Sequence, residues 1–405
     1  MNETMDRPLF IITNLLAVTG VIMIYSATRN AADVATSQYI LQSIWFGVGL
    51  AVMYTTYLLP LRFIQAITVP AFIVVIILLI AVLATSSVKG SSRWIRFGAI
   101  GIQPSELAKI AVILVLAQYL EQPRRNIRKP MVLTTACLIV ALPVALILKQ
   151  PDLGTSLVFG AILCGMLLWA GLSFLELVLF VSPVIGVLIA VISGFNWMVW
   201  TIFMLSVIGI IYYKRPPMPL IGVLICIHIG VGITAEPLWN TLHDYQRQRV
   251  ETFLNPQADA LGSGYQIIQS QIAIGSGGIF GRGLLQGSQT QLAFLPEQQT
   301  DFIFSVIGEE LGFIGSLSIL ILFYVLIIRG IIIAINVKGR FQSLIAAGCV
   351  SVFSFHVIMN VGMTIGLLPV AGVPLPFLSY GGSFLLTSMI LSGLLLNAWR
   401  HRFEY

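Results

Sequence analysis

Asp259 stands among turn-forming residues in NPQADALGSGYQ, downstream of Arg247 and Arg249. A carboxylate that takes a proton from an attacking hydroxyl, with cations nearby to receive an anionic leaving group, is what glycosyl or phosphoryl transfer requires. A turn aspartate bonding its own backbone needs the same residue type, so both roles stay open for Asp259. The stretch from Trp239 to Thr300 that carries it also holds Asp244, Glu251 and Glu297, and it is the one long polar segment of the chain. It retains bulky apolar residues, among them Phe253, Tyr265, Ile267 and Phe294, which a disordered tract would lack. Long connections without obvious secondary structure are uncommon in compact proteins, and ordered ones are usually functional.

A second constellation is Glu106 and Lys109 in QPSELAK, three residues apart and so on one helical face, behind Pro104 in the first turn. Charged residues within spans are costly and are functional candidates. The pair either caps the helix as an interfacial ion pair or lines a polar cavity opening outward, with the ammonium near an anionic headgroup. In KQPDLGTS, Asp152 and Thr155 have N-cap chemistry, which predicts a structural role for Asp152. RWIRFG places Arg93, Trp94, Arg96 and Phe97 as an amphipathic interfacial helix would, although Trp94 equally suits a membrane-belt tryptophan. The run GSGGIFGRG lacks the flanking strand and helix of a dinucleotide fingerprint and no Walker A lysine follows it; a tight turn between two loop segments is expected. The cysteines Cys137, Cys164, Cys226 and Cys349 lie far apart in apolar runs without metal spacing, as small core residues do.

These groups must be held by membrane-embedded elements. Hydrophobic residues make up 58% of the 405 and charged residues 9%, and the mean hydropathy is +0.96, which marks an all-α polytopic membrane protein rather than a soluble domain. Apolar runs of spanning length occur at roughly 9–28, 40–58, 64–86, 104–120, 131–148, 154–171, 174–193, 197–213, 218–234, 302–328, 341–365 and 377–399. The first lacks a cleavage site and reads as a retained span. An even number puts both termini on one side. Arg7, Arg62, Arg124, Arg125, Arg128, Lys129, Lys214, Arg215, Arg329, Lys338, Arg340, Arg400 and Arg402 share one set of alternate connections, which the positive-inside rule makes cytoplasmic. The net charge of +6 follows from that bias, and nucleic acid is not an expected partner. On the outer side, Lys89, Arg93 and Arg96 share the loop at 87–103, while Arg247, Arg249 and Arg282 share the long one. Outer loops are normally depleted in such residues, so a phosphate-bearing lipid headgroup is expected to compensate them; ordinary anionic phospholipid or loop carboxylates would also do so.

The strings KQPDLGTS, FLNPQADALGSGYQIIQSQIAIGSGGIFGRGLLQGSQTQLAFLPEQQTDFIFSVIGEELGFIG and LPVAGVPLPFLSYGGSFLL resemble the SEDS family (shape, elongation, division and sporulation), and its elongation branch more than its division branch. The likeness runs over nearly the whole chain. It implies a helical-bundle peptidoglycan glycosyltransferase of the bacterial cytoplasmic membrane that polymerises lipid II on the outer face, together with a class B penicillin-binding protein transpeptidase and the elongation machinery. The family's loop aspartate falls on Asp259, its outer-loop tryptophan on Trp94, and its cavity acid and base on Glu106 and Lys109. Asp259 would be the general base. Arg93, Arg96, Lys109, Arg247 and Arg249 would hold the diphosphate, with Asp152, Gln266 and Ser379 as structural support. The residues require no cofactor; a divalent ion, Mg or Mn, is compatible but undictated, because no compact carboxylate cluster is present.

One departure concerns the spans. The family core has ten, so the three apolar runs within 174–234 predict an extra helical hairpin at 197–234, turning at YYKRPP on the cytoplasmic side; the large outer loop then covers 235–301. Two alternatives to polymerisation remain: a lipid II flippase, against which the sparse charge of the late spans speaks, and a non-catalytic scaffold for the penicillin-binding protein, which would need no particular acid at Asp259.

Overall fold

The computed structural model describes residues 5–29, 35–83, 93–97, 100–122, 127–194, 196–214, 218–241, 252–253, 257, 262, 264–292 and 294–404. Asp259, Arg247, Arg249 and the side chain of Arg96 lie outside the described part. In chain order the elements are α1 (Arg7–Thr28), α2 (Ala35–Leu58), α3 (Leu61–Leu83), β1 (Ile95–Phe97), β2 (Ile100–Ile102), α4 (Pro104–Glu121), α5 (Pro130–Leu148), α6 (Leu153–Trp169), α7 (Phe174–Ile192), α8 (Trp197–Lys214), α9 (Met218–Thr241), α10 (Tyr265–Gly277), α11 (Ser288–Gln291), α12 (Ile303–Asn336), α13 (Arg340–Thr364) and α14 (Gly382–Arg400). Each apolar run expected to span is helical. Eight of these helices are long and apolar enough to cross a membrane on length and composition alone. Prolines inside α3, α5, α7 and α9 fit this setting, since neighbouring groups re-satisfy the freed backbone.

The chain divides into two compact units, one made of Met1–Gln122, Ala136–Met166 and Thr252–Tyr405, the other of Pro123–Thr135 and Leu167–Glu251. In the first, α14 packs along α2, α12 pairs with α1, α10 and α13, and α4 lies against α3 and α13. Phe302, Phe323, Phe341, Phe353 and Phe377 fill its core. Asp6 caps α1 by accepting from the Leu9 amide at 2.9 Å and pairs with Arg329 of α12. At the other end of the sequence, the Asn397 amide lies 2.7 to 3.1 Å from the carbonyls of Thr56, Tyr57 and Leu59, acceptors that the end of α2 would otherwise leave open.

In the second unit Ser173 and Glu176 form a capping box at the start of α7, and Arg128 pairs with Glu176 at 3.1 Å. Leu179, Val207 and Leu224 join α7, α8 and α9. The run expected to hold an extra hairpin contains two helices, α8 and α9, each packed against α7, and α9 runs on to Thr241 rather than ending near 234. Val207 is the one buried residue described on α8, and Trp197, Ile202, Leu205 and Ile208 are exposed on it, as lipid-facing side chains are.

Two expectations are corrected. Residues 95–102 form a two-stranded antiparallel hairpin, not an interfacial helix, with Ile95 opposite Ile102 and Phe97 opposite Ile100. Apolar residues at 95, 97, 100 and 102 recur with the period of a strand, and β-branched isoleucine favours it. The long polar connection also contains a regular helix, α10. The glycine run is thus a turn that ends a helix, not one between two loop segments. It docks on a break in α12, where Gly312 adopts φ 66°, ψ −164°. That break frees backbone groups which the run satisfies: Arg282 and Gly283 amides donate to the Glu309 and Glu310 carbonyls at 3.0 Å, and Phe313 and Ile314 amides donate to the Gly278 and Ile279 carbonyls at 2.9 and 3.1 Å.

Candidate active site

Pro104 starts α4, which sets Glu106 and Lys109 one turn apart on its inner face. Glu106 Oε1 lies 2.8 Å from Lys109 Nζ, and the two residues are 4% and 1% exposed, so the pair is interior and not the open interfacial pair of a simple cap. His356 of α13 brings its Nε2 to 3.4 Å from the ammonium. The Phe384 ring of α14 covers the same ammonium at 5.2 Å from its centroid. Glu106 Oε2 is buried with no hydrogen-bond partner among the described residues, which marks room for a further donor there. His356 was not singled out from the sequence; a lone histidine within the apolar run 341–365 was the available signal.

Above this cluster, in sequence terms, the segment 366–381 is pinned to the end of the long connection. Ser379 Oγ donates to the Thr300 carbonyl at 2.6 Å and accepts from the Leu375 amide at 2.8 Å. The Tyr380 amide donates to the Gln299 carbonyl at 2.8 Å. Asn360 Nδ2 donates to both the Asp301 and Val373 carbonyls at 2.8 Å. Gln266 sits in the first turn of α10, half-buried.

Arg93 and Asp152 come together in a second grouping. Arg93 Nε donates to the Gln150 carbonyl at 3.1 Å, Nη2 donates to the Pro151 carbonyl, and Nη1 lies 3.7 Å from Asp152 Oδ2. Asp152 caps α6, accepting from the Thr155 amide at 3.2 Å and hydroxyl at 2.9 Å, as expected. Much of the Arg93 donor set is thereby committed to the turn between α5 and α6, with Nη1, at 3.7 Å from the Asp152 carboxylate, its least tightly held group. Trp94 is 44% exposed and lies across the hairpin from Gly101, where an added Cβ would sit 3.2 Å from its ring. Ser383 Oγ ties this hairpin to α14 by donating to the Gly101 carbonyl at 3.1 Å.

Glu309 and Glu310 form a third buried grouping. Glu309 accepts from the Gln289 and Thr290 amides at 2.8 and 2.9 Å, and so caps α11. Glu310 accepts from Ser26 of α1 at 2.5 Å. Among the described residues no cluster of three or more His, Cys, Asp or Glu could hold a metal ion; Glu106 Oε2 and Glu310 Oε2 are buried there without hydrogen-bond partners.

Apolar helices that enclose a buried ion pair, with the described residues 264–292 and 294–301 of the long polar connection packed beside them, define a polytopic membrane protein with a polar centre. The chain belongs to the FTSW_RODA_SPOVE family, described as cell cycle protein, whose sequence model matches residues 6–201 and 196–404. It is 36% identical over 401 residues to the peptidoglycan glycosyltransferase MrdB of Escherichia coli strain K12, covering 98% of this chain and 94% of that one. It is 35% identical to the peptidoglycan glycosyltransferase RodA of Treponema pallidum strain Nichols, with 97% of each chain covered. Stage V sporulation protein E of Bacillus subtilis strain 168 is 36% identical, with 98% and 97% covered. Among solved structures, one described as the structural coordination of polymerization and crosslinking by a peptidoglycan synthase complex matches with TM-score 0.73, 28% identity and 99% of each chain covered. The rod shape determining protein RodA of Thermus thermophilus matches with TM-score 0.63 at 23% identity, again over 99% of each chain; this likeness is one of fold.

Proposed function

We propose that this chain is a peptidoglycan glycosyltransferase that polymerises lipid II into glycan strands during cell elongation, in the bacterial cytoplasmic membrane, with both termini cytoplasmic and the reaction on the outer face. The observation that carries this reading is the end-to-end likeness to relatives named for that activity. The buried Glu106–Lys109 pair supports it, since a paired charge held inside an apolar bundle is a functional candidate.

In this reading Asp259 takes the proton from the acceptor sugar 4-hydroxyl as the oxygen attacks the donor anomeric carbon. The new C–O bond forms with inversion as the bond to the lipid diphosphate breaks, and undecaprenyl diphosphate leaves with the electron pair. Cationic groups stabilise that departing charge. Lys109, Arg96, Arg247 and Arg249 are assigned to it, with Arg93 contributing through Nη1 and Trp94 lying against the substrate. A class B penicillin-binding protein supplies crosslinking, in keeping with the complex that the chain resembles.

The test is polymer formation from lipid II by the purified protein with its penicillin-binding partner, native against Asp259→Asn. An amide is nearly isosteric but cannot accept the proton, so the rate should fall about 10²–10⁴-fold while the protein stays folded. Full activity in Asp259→Asn would remove the base assignment. No polymer from the native protein, with lipid II moved across vesicle bilayers instead, would point to a flippase; neither activity would leave a scaffold.

A further inference from the structure

We propose that His356 is a positioning residue for the reaction: its Nε2 acts as a neutral acceptor that aims the Lys109 ammonium, and the Pro374 carbonyl fixes the ring in the tautomer that allows this. The inference rests on the assignment of Lys109 to the lipid diphosphate.

Proton counting carries it. His356 Nδ1 lies 2.9 Å from the Pro374 carbonyl oxygen, which can only accept, so Nδ1 holds the hydrogen. In a neutral ring Nε2 then presents a lone pair. Lys109 Nζ, 3.4 Å away, can only donate, and the two sides match. A second acid at this place would neutralise the ammonium and weaken its pull on an incoming anion. An imidazole accepts a hydrogen bond and adds no opposing charge. Of the three Lys109 N–H groups, one is directed to Glu106 Oε1 at 2.8 Å and one makes the weaker 3.4 Å contact to His356, which leaves a third, while the Phe384 ring lies 5.2 Å from the ammonium. The His356 ring itself packs on Phe384, with centroids 5.0 Å apart.

Because the ring is held through Pro374, the ammonium is referenced to the segment that Ser379 and Asn360 fasten to residues 299–301. Residues 299–301 end the polar connection carrying Asp259. His356 therefore relates the cation on α4 to the connection that carries the proposed base.

The two hydrogen bonds of the ring are separable by substitution. His356→Gln places an acceptor near the Nε2 position, and His356→Asn places a donor near Nδ1. His356→Leu removes both. Polymerisation of lipid II by the purified protein with its partner should stay within about threefold of native for Gln and fall about 10–100-fold for Asn and Leu, the size expected when a catalytic group is misplaced by about 1 Å. Membrane abundance and melting temperature should match between Gln and Asn. Equal losses for Gln and Asn, or a native rate for Leu, would overturn the proposal; if Leu does not accumulate, the Gln and Asn pair decides. Lys109→Met, assayed alongside, separates the two levels: a native rate there removes the assignment of Lys109 itself, whereas its loss leaves the histidine series to decide positioning alone.

Discussion

Glu106 and Lys109 are both almost fully buried, so stability and chemistry make different demands on the same two side chains. Removing one partner of a buried ion pair strands the other charge at a cost of about 3–5 kcal/mol, whereas replacing both by neutral groups is often tolerated. Glu106→Gln and Lys109→Met should each reduce membrane abundance, and the double variant should recover it. Polymerisation should stay lost in the double variant, because no ammonium remains to meet a diphosphate. Recovered activity alongside recovered abundance would reduce the pair to packing. At this scale the sequence showed the pair through its i,i+3 spacing and its setting in an apolar run. It could not show that His356, far along the chain, would face the same ammonium, because no local period links α4 to α13.

At the scale of elements, Gly312 is the residue on which the docking of the glycine run depends. Its φ of 66° with ψ of −164° lies where residues with a Cβ almost never go, and an added Cβ would stand 2.2 Å from the Gly281 amide nitrogen. Gly312→Ala should therefore cost at least about 1–3 kcal/mol from backbone strain alone, read as a lower melting temperature in detergent. An unchanged melting temperature would mean that α12 can straighten without losing the run. The apolar helices were legible because each is a long run with few charges. By contrast, α10 was hidden because its buried face, Ile267, Ser270, Ala273 and Gly277, is built mainly from small residues that let backbones approach and not from an apolar stripe. The hairpin at 95–102 was hidden by its charges, which drew attention away from a period of two. The α8–α9 hairpin makes its own prediction: with a single buried residue described on α8, it should be dispensable for chemistry. A chain joining Gly194 to Glu236 should polymerise lipid II if it inserts normally, and inactivity in a correctly inserted deletion would assign the hairpin a part in shaping the site.

For the whole molecule, the decisive quantity is sidedness. Under the proposed orientation, argued from the basic residues of alternate connections, Lys214 would lie in the cytoplasm and position 257 outside. Single cysteines at 214 and 257, in a background with Cys137, Cys164, Cys226 and Cys349 replaced, test this directly. In intact cells an impermeant thiol reagent should reach position 257 and not position 214. The reverse pattern would move the proposed chemistry to the cytoplasmic face and separate it from an extracellular acceptor.

The bond between Asp6 and Arg329, with that between Ser26 and Glu310, sets a timetable for biosynthesis. Asp6 caps α1 and Ser26 lies near its other end, yet their partners lie in α12, 323 and 284 residues later. Until α12 is made, the Asp6 carboxylate has its cap on the Leu9 amide but not its cation, and the Ser26 hydroxyl lacks the Glu310 acceptor. α1 already packs on α2, and α12 completes its setting. A nascent chain released before Ile303 would leave α1 held by α2 without its two polar partners in α12.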